Sequence, residues 1–196
     1  MRIFVKICGL STPRAVSAAV NAGADAIGFV FAESPRQVTP KRAKQLCAAV
    51  SPVIIRVAVM RQPLATEWQG VADEFKPDWL QTDAGDFVRL DVAGHIGRLP
   101  VYRDTSALDA GILPAVEPML FEAANSGEGA LANWQQAAVL ASGRQLILAG
   151  GLTPDNVGEA IATVRPYGVD VSSGVAQRWL RNRGIAAGKS AGATGS

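Results

Sequence analysis

Two cysteines and one histidine in 196 residues leave this chain little of the chemistry that metals and disulfides need. Cys8 and Cys47 lie far apart and match no metal-ligand spacing, and a disulfide framework would need more of them. The lone His95 argues against His-rich metal sites and His-based triads, so no metal and no cofactor is expected. An excess of charge of one sign is also missing. Lys+Arg 19 against Asp+Glu 17 gives a net charge of +2, and no basic cluster with interleaved aromatics marks a nucleic-acid surface. Long apolar runs are absent too. The stretch from Ala15 to Ala32 is broken by Asn21, Asp25 and several glycines, short of the ~20 apolar residues of a spanning helix. Met1 to Lys6 enters a strand-like pattern directly, without the layout of a signal peptide. No membrane association is expected, and a reducing cytoplasm suits the free thiols.

What the chain does have is core. Hydrophobic residues make up 48% of it, with 20 Gly and 11 Pro as punctuation, which excludes a disordered chain. Short β-rich runs alternate with helical segments. Ile3–Ile7 reads as a strand, and Thr12-Pro13 as N-cap and first position of a helix to about Ala22. Ala26–Phe31 is the next strand, followed by a Thr39-Pro40 cap and a helix to about Val50. Val53–Val59 is a strand rich in β-branched residues. A helix over Leu64–Phe75 leads to the strand Trp79–Gln81. Phe87–Gly97 is predicted helical, Pro100–Tyr102 and Pro118–Phe121 are strands, and Trp134–Ala141 is a helix. Gln145–Ala149 is a strand, Thr153-Pro154 opens a helix to about Val164, and Gly168–Val171 is the last strand.

Strands buried on both faces and joined by helices imply parallel β-structure. About eight such units imply an α/β fold, a compact (β/α)8 TIM barrel rather than an open sheet, although the chain is short for a barrel of typically ~250 residues. Residues 1–183 are read as one barrel domain with an incomplete or frayed last helix, and 184–196 as a flexible Gly/Ala-rich tail. A barrel gathers its chemistry at the C-terminal ends of its strands. Cys8, Arg36, Gln81, Glu122, Gly150-Gly151 and Ser172-Ser173-Gly174 stand there.

Each of these residues has a plain reading beside a functional one. The turns Gly150-Gly151 and Ser172-Ser173-Gly174 can expose main-chain N–H groups to a phosphate, or simply permit tight connections. Cys8 can be a base or nucleophile, or a small buried hydrophobe. Arg36 can clamp an anion or be solvated at the surface. Glu122 and Asp170 end or interrupt apolar strands, where a carboxyl is costly unless it faces a polar cavity. Cys47 reads as packing, His95 as surface, and the four Trp as packing and anchoring residues.

Four segments occur in an order that carries more. They are Lys6-Ile7-Cys8-Gly9-Leu10, Gly28-Phe29-Val30-Phe31 with Ser34-Pro35-Arg36, Leu148-Ala149-Gly150-Gly151-Leu152, and Gly168-Val169-Asp170-Val171-Ser172-Ser173-Gly174-Val175. Together they resemble the phosphoribosylanthranilate isomerases of tryptophan biosynthesis, over nearly the whole chain to about Val175. The resemblance implies an Amadori rearrangement of a phosphosugar, an aminoaldose becoming an aminoketose, without a cofactor. It implies Cys8 as general base, its thiolate favoured by nearby cations, and Glu122 as general acid. Arg36, Asp170 and Gln81 would contact the substrate, and Gly150, Gly151, Ser172, Ser173 and Gly174 would hold its phosphate.

The sequence also departs from the family pattern. Glu122 replaces an aspartate, a change in reach of about one C–C bond, ~1.5 Å. Gln81-Thr82-Asp83-Ala84 stands for Gln-Leu-His-Gly, Ser126-Gly127-Glu128-Gly129 for Gly-Gly-Thr-Gly, and Ala176 for a glutamate. These changes keep a second expectation open, a diverged barrel that binds a sugar phosphate without this activity or isomerises a different one. The chain is expected to be a monomer or homodimer.

Overall fold

Strand, turn and helix follow one another through most of the chain, and in the computed structural model, which describes residues 2–105, 108, 111, 113, 117–124 and 131–172, the strands close on themselves. β1 (Phe4–Cys8), β2 (Ala26–Val30), β3 (Ile55–Val59), β4 (Trp79–Asp83), β5 (Gly97–Arg103), β6 (Met119–Glu122), β7 (Leu146–Leu148) and β8 (Gly168–Ser172) form a closed parallel barrel in chain order. The seam pairs β1 with β8, setting Phe4 against Gly168, Lys6 against Asp170 and Cys8 against Ser172. The barrel expected from the sequence is thus present.

Five helices are described around it: α1 (Pro13–Asn21), α2 (Pro40–Leu46), α3 (Ala65–Phe75), α4 (Trp134–Ala141) and α5 (Val157–Val164). Their starts follow from local chemistry. Thr12 and Thr39 accept hydrogen bonds from Ala15 N and Arg42 N, each at 3.2 Å, and a proline occupies the first helical turn in both α1 and α2. None of the described helices is long and apolar enough to cross a membrane.

Two cores result, as a barrel requires. The outer one packs strands against helices and includes Ile27, Phe29, Trp68, Leu80, Phe121 and Leu148. The inner one fills the barrel with Leu99, Val101, Leu120, Ile147 and Ala149. Phe4, Trp79 and Tyr167 pack against it, Phe4 stacking on Trp79 at 5.8 Å and on Tyr167 at 5.5 Å between ring centroids. These rings stand on the N-terminal halves of their strands or just before them, and close that end. At the strands' C-terminal ends the interior opens into a cavity.

Several boundaries differ from the sequence reading. α2 stops at Leu46 rather than near Val50, and β3 starts at Ile55 because Val53 is solvent-exposed. Thr153-Pro154 does not open α5. It belongs to a turn in which Thr153 N donates to Asn156 Oδ1 at 2.7 Å, and the helix begins at Val157. Phe87–Gly97 is not a helix: a 3-10 turn over Ala84–Val88 gives way to irregular chain and then to β5. The Asp91 carbonyl, which a helix would use for its own ladder, accepts the Trp68 indole N–H at 2.8 Å. Leu90, Val92 and Ile96 are buried without helical spacing. His95 is exposed in a turn, as expected of its side chain. The expectations for the last helix and for 184–196 fall outside the described residues.

Candidate active site

Side chains alternate in and out along each strand, so the last inward positions of the eight strands bound one space. It is a cavity of about 470 Å³ at the C-terminal end of the barrel, within the ~300–1,000 Å³ of small-molecule pockets. Cys8, Arg36, Gln81, Glu122, Gly150, Gly151, Asp170 and Ser172 all border it. Ser173, Gly174 and the segment 126–129 lie outside the described residues.

On the β1–β8 side the charges are sealed. Lys6 and Cys8 share the inward face of β1, and the register places Lys6 opposite Asp170. Lys6 Nζ donates to Asp170 Oδ1 at 2.8 Å, with 0% of the lysine side chain and 10% of the aspartate side chain exposed. The same ammonium lies beside the Cys8 thiol. The arrangement depends on Gly28 of β2, where a Cβ would stand 3.1 Å from Cys8 Sγ and 3.3 Å from Lys6 Nζ. Burial works against the Lys6 ammonium, but the Asp170 carboxylate and Cys8 outweigh it and hold its pKa above the ordinary lysine value. Removing one partner from such a buried pair costs about 3–5 kcal/mol, because the other charge is left uncompensated.

The thiol is under opposing influences, and the cations act on it in the expected direction. Burial, with Asp170 adding to it, pushes Cys8 above the ordinary cysteine pKa, and the cations Lys6 and Arg36 recover only part of the difference. Nearby positive charge alone therefore does not make this an acidic thiol. Cys47, just past α2, is buried in the outer core and pushed up to about 11 by burial. It is the inert packing residue the sequence suggested.

Arg36 crosses the rim. Its guanidinium bonds to Ser172 Oγ at the end of β8, and its side chain lies over Gly9, where a Cβ would come within 3.1 Å of Cδ and Nε. Small residues after β1 thus let an arginine from the β2 loop reach β8. The turn after β7 supplies the next stretch of rim: Gly150 and Gly151 have φ of +89° and +61°. Asn156 holds this turn by donating to Gly151 O at 3.0 Å. Gln81 is buried at the cavity wall, and its Oε1 has no hydrogen-bond partner among the described residues. A buried acceptor left open at a cavity is ready for a donor on a ligand.

On the β4–β6 side the charges are wetter. Arg103 bonds to Glu122 Oε1 with one nitrogen and to Asp83 Oδ1, at 2.7 Å, with another. Register sets Arg103 beside Glu122. The three side chains are 16–26% exposed. The guanidinium fork gives two carboxylates fixed directions, and it draws the longer Glu122 side chain toward β5.

Sequence reading found neither Lys6 nor Arg103 as a site residue. The signal for Lys6 was a charge inside an apolar strand, two residues before Cys8 and so on the same face. Arg103 gave less, since its β5 position is informative only when the pairing with Glu122 is known. Among the described residues no cluster of three potential metal ligands occurs.

The family described as N-(5'phosphoribosyl)anthranilate (PRA) isomerase has a sequence model that matches residues 5–182. A curated relative, the N-(5'-phosphoribosyl)anthranilate isomerase of Desulforamulus reducens, is 40% identical over 177 residues, which span 87% of this chain and 85% of the relative. Among solved structures, the phosphoribosyl anthranilate isomerase of Thermococcus kodakaraensis is similar with a TM-score of 0.72 and 27% identity, covering 95% of this chain and 100% of that one. A crystal structure of such an isomerase in complex with reduced 1-(o-carboxyphenylamino)-1-deoxyribulose 5-phosphate is similar with a TM-score of 0.76 and 25% identity, covering 94% and 100% of the two chains.

Proposed function

The chain belongs to the N-(5'-phosphoribosyl)anthranilate isomerase family, and from that premise we propose that its cavity carries out the family's Amadori rearrangement, with Cys8 as base and Glu122 as acid. The observation that carries this reading is that a thiol from β1 and a carboxyl from β6, three strands apart around the barrel, border one cavity whose rim between them is the Gly150-Gly151 turn.

The steps follow from where protons must go. Glu122, in its protonated form, donates to the furanose ring oxygen. The C1–O bond breaks as the amine nitrogen's lone pair forms the C=N bond of a Schiff base. The Cys8 thiolate removes the proton from the adjacent sugar carbon, and the electron pair returns to nitrogen as an enolamine. Tautomerisation of the enol oxygen to a carbonyl then gives the aminoketose. General acid and base help of this kind contributes about 10²–10⁴-fold for each group. The phosphate anchors to the amides of Gly150 and Gly151 with Ser172, Ser173 and Gly174, and Arg36 holds the aromatic carboxylate. The open Gln81 Oε1 accepts from a sugar hydroxyl or the secondary amine, and Asp170 lines the face where Cys8 works.

Purified protein is expected to convert N-(5'-phosphoribosyl)anthranilate, read as loss of the substrate's fluorescence, and to restore growth of a tryptophan auxotroph lacking the isomerase. Cys8→Ala should abolish turnover yet still bind the reduced product analogue. Normal turnover by Cys8→Ala would remove the thiol from the mechanism. Failure of the wild type in both assays would favour a sugar-phosphate barrel of other specificity.

A further inference from the structure

The resemblance gives Lys6 no task beyond its place in a motif, yet its side chain is the most thoroughly enclosed charge among the described residues. Of the polar and charged side chains buried there, Lys6 alone is fully shut from solvent. It spans the gap between the Asp170 carboxylate, at 2.8 Å, and the Cys8 thiol. Gly28 keeps open the space in which thiol and ammonium meet. An ammonium in an apolar strand is costly to bury, and pairing with Asp170 alone would leave its contact with sulfur without purpose.

We propose that Lys6 is a positioning residue for the base: its ammonium is the counter-ion that the Cys8 sulfur shares with Asp170, and the division of that one positive charge between carboxylate and sulfur sets how readily Cys8 ionises. This inference rests on reading Cys8 as the base.

Among the described residues, few charged groups face the sulfur. Lys6 comes from its own strand, Asp170 from β8 and Arg36 from the loop after β2, while β2 itself offers only Gly28. Burial of the thiol favours its neutral form, Asp170 does the same, and Lys6 and Arg36 oppose them. When Cys8 takes the proton from the sugar carbon it becomes a neutral thiol, and the ammonium turns back to Asp170. When the thiol gives that proton up again, the ammonium is already beside the new anion. No bond to Lys6 is made or broken.

Opposite changes at the two ends of the pair must then move the thiol in opposite directions. Lys6→Met removes the cation in roughly the same volume, so the thiolate is disfavoured and the thiol titrates at higher pH. Asp170→Asn removes the competing anion, so the thiolate is favoured and the thiol titrates at lower pH. A charge within about 4–6 Å shifts a titration by about 1–3 pH units, so each variant is expected to move the midpoint by at least about one pH unit.

The experiment is the pH dependence of iodoacetamide alkylation, followed by mass spectrometry on the peptide carrying Cys8, beside the pH profile of kcat/KM. In the wild type both are expected to rise above neutral pH. Lys6→Met should move both limbs upward, and Asp170→Asn should move the alkylation limb downward. Should Lys6→Met fail to fold, Asp170→Asn decides alone: a downward move supports the proposal, and an unchanged or upward limb overturns it. Unchanged alkylation in both variants overturns it as well. Alkylation reports the sulfur whether or not it is catalytic, so normal turnover by Cys8→Ala would sink the base reading while leaving the Lys6 result standing.

Discussion

The two sides of the cavity keep their charges by different means. On the β1–β8 side an ammonium is shut away from water with a carboxylate and a thiol. On the β4–β6 side a guanidinium serves two carboxylates that are each partly wet. A sealed group cannot lose one partner without stranding another, whereas water and a flexible arginine can absorb a change at the wet side. Two of the departures from the family pattern fall on the wet side. Lys6-Ile7-Cys8-Gly9 stands intact on the sealed side, while Glu122 and Asp83, both altered, stand on the wet side and share Arg103.

The most severe test of the comparison is Glu122→Gln. It keeps shape and hydrogen bonding but removes the proton to be donated, so kcat is expected to fall by about 10²–10⁴-fold. Binding of the reduced product analogue, measured by calorimetry, should change little. A variant retaining near-normal kcat would move the acid to another group, and the wet side would lose its assigned task.

Much of this is legible in the sequence alone. β1, β2, β7 and β8 announce themselves as short apolar runs, and the residues at their ends follow from the rule that a barrel works at its strands' C-termini. Lys6 and Arg103 were missed for a shared physical reason. A charged residue within a strand interrupts the apolar pattern, and only the register, Lys6 against Asp170 and Arg103 against Glu122, turns that interruption into a partnership. Strand pairing is non-local and leaves no mark on either segment alone. The misread helix over Phe87–Gly97 failed for a similar reason. Its Asp91 carbonyl accepts from the distant Trp68 indole, which no window over that segment contains.

Arg103→Met sharpens the comparison at a smaller scale. Glu122 and Asp83 lose the cation between them and separate, so the proposed acid is no longer aimed. Misplacement by about an ångström can cost ~100-fold, and a fall in kcat of about 10–100-fold is expected, with KM changed much less. Adding Glu122→Asp to this variant should cost less than it does in the wild type, because the reach of Glu122 matters only while Arg103 is there to meet it. A double-mutant cycle on kcat measures that coupling. Independent, additive losses would mean that Arg103 does not position the acid.

The smallest effect belongs to the opposite end of the barrel. Asp78 accepts from Arg56 N at 2.7 Å, Nε at 2.9 Å and a terminal nitrogen at 2.8 Å, joining the starts of β3 and β4. Burial opposes the Asp78 carboxylate, but its bonds to Arg56 prevail and hold its pKa below the ordinary 3.8. A depressed carboxyl stabilises the fold above its unfolded pKa, and that contribution is lost as the pH falls from there through the folded value. Both side chains are about one-third exposed, so solvent screening keeps the contribution near the ~1 kcal/mol ceiling of exposed pairs. Asp78→Asn should therefore lower the urea midpoint slightly at neutral pH and flatten its decline below about pH 4, while leaving kcat and its pH profile unchanged. A shift in the rate profile instead would show that the aromatic layer of Phe4, Trp79 and Tyr167 does not insulate the catalytic end from charges at the other.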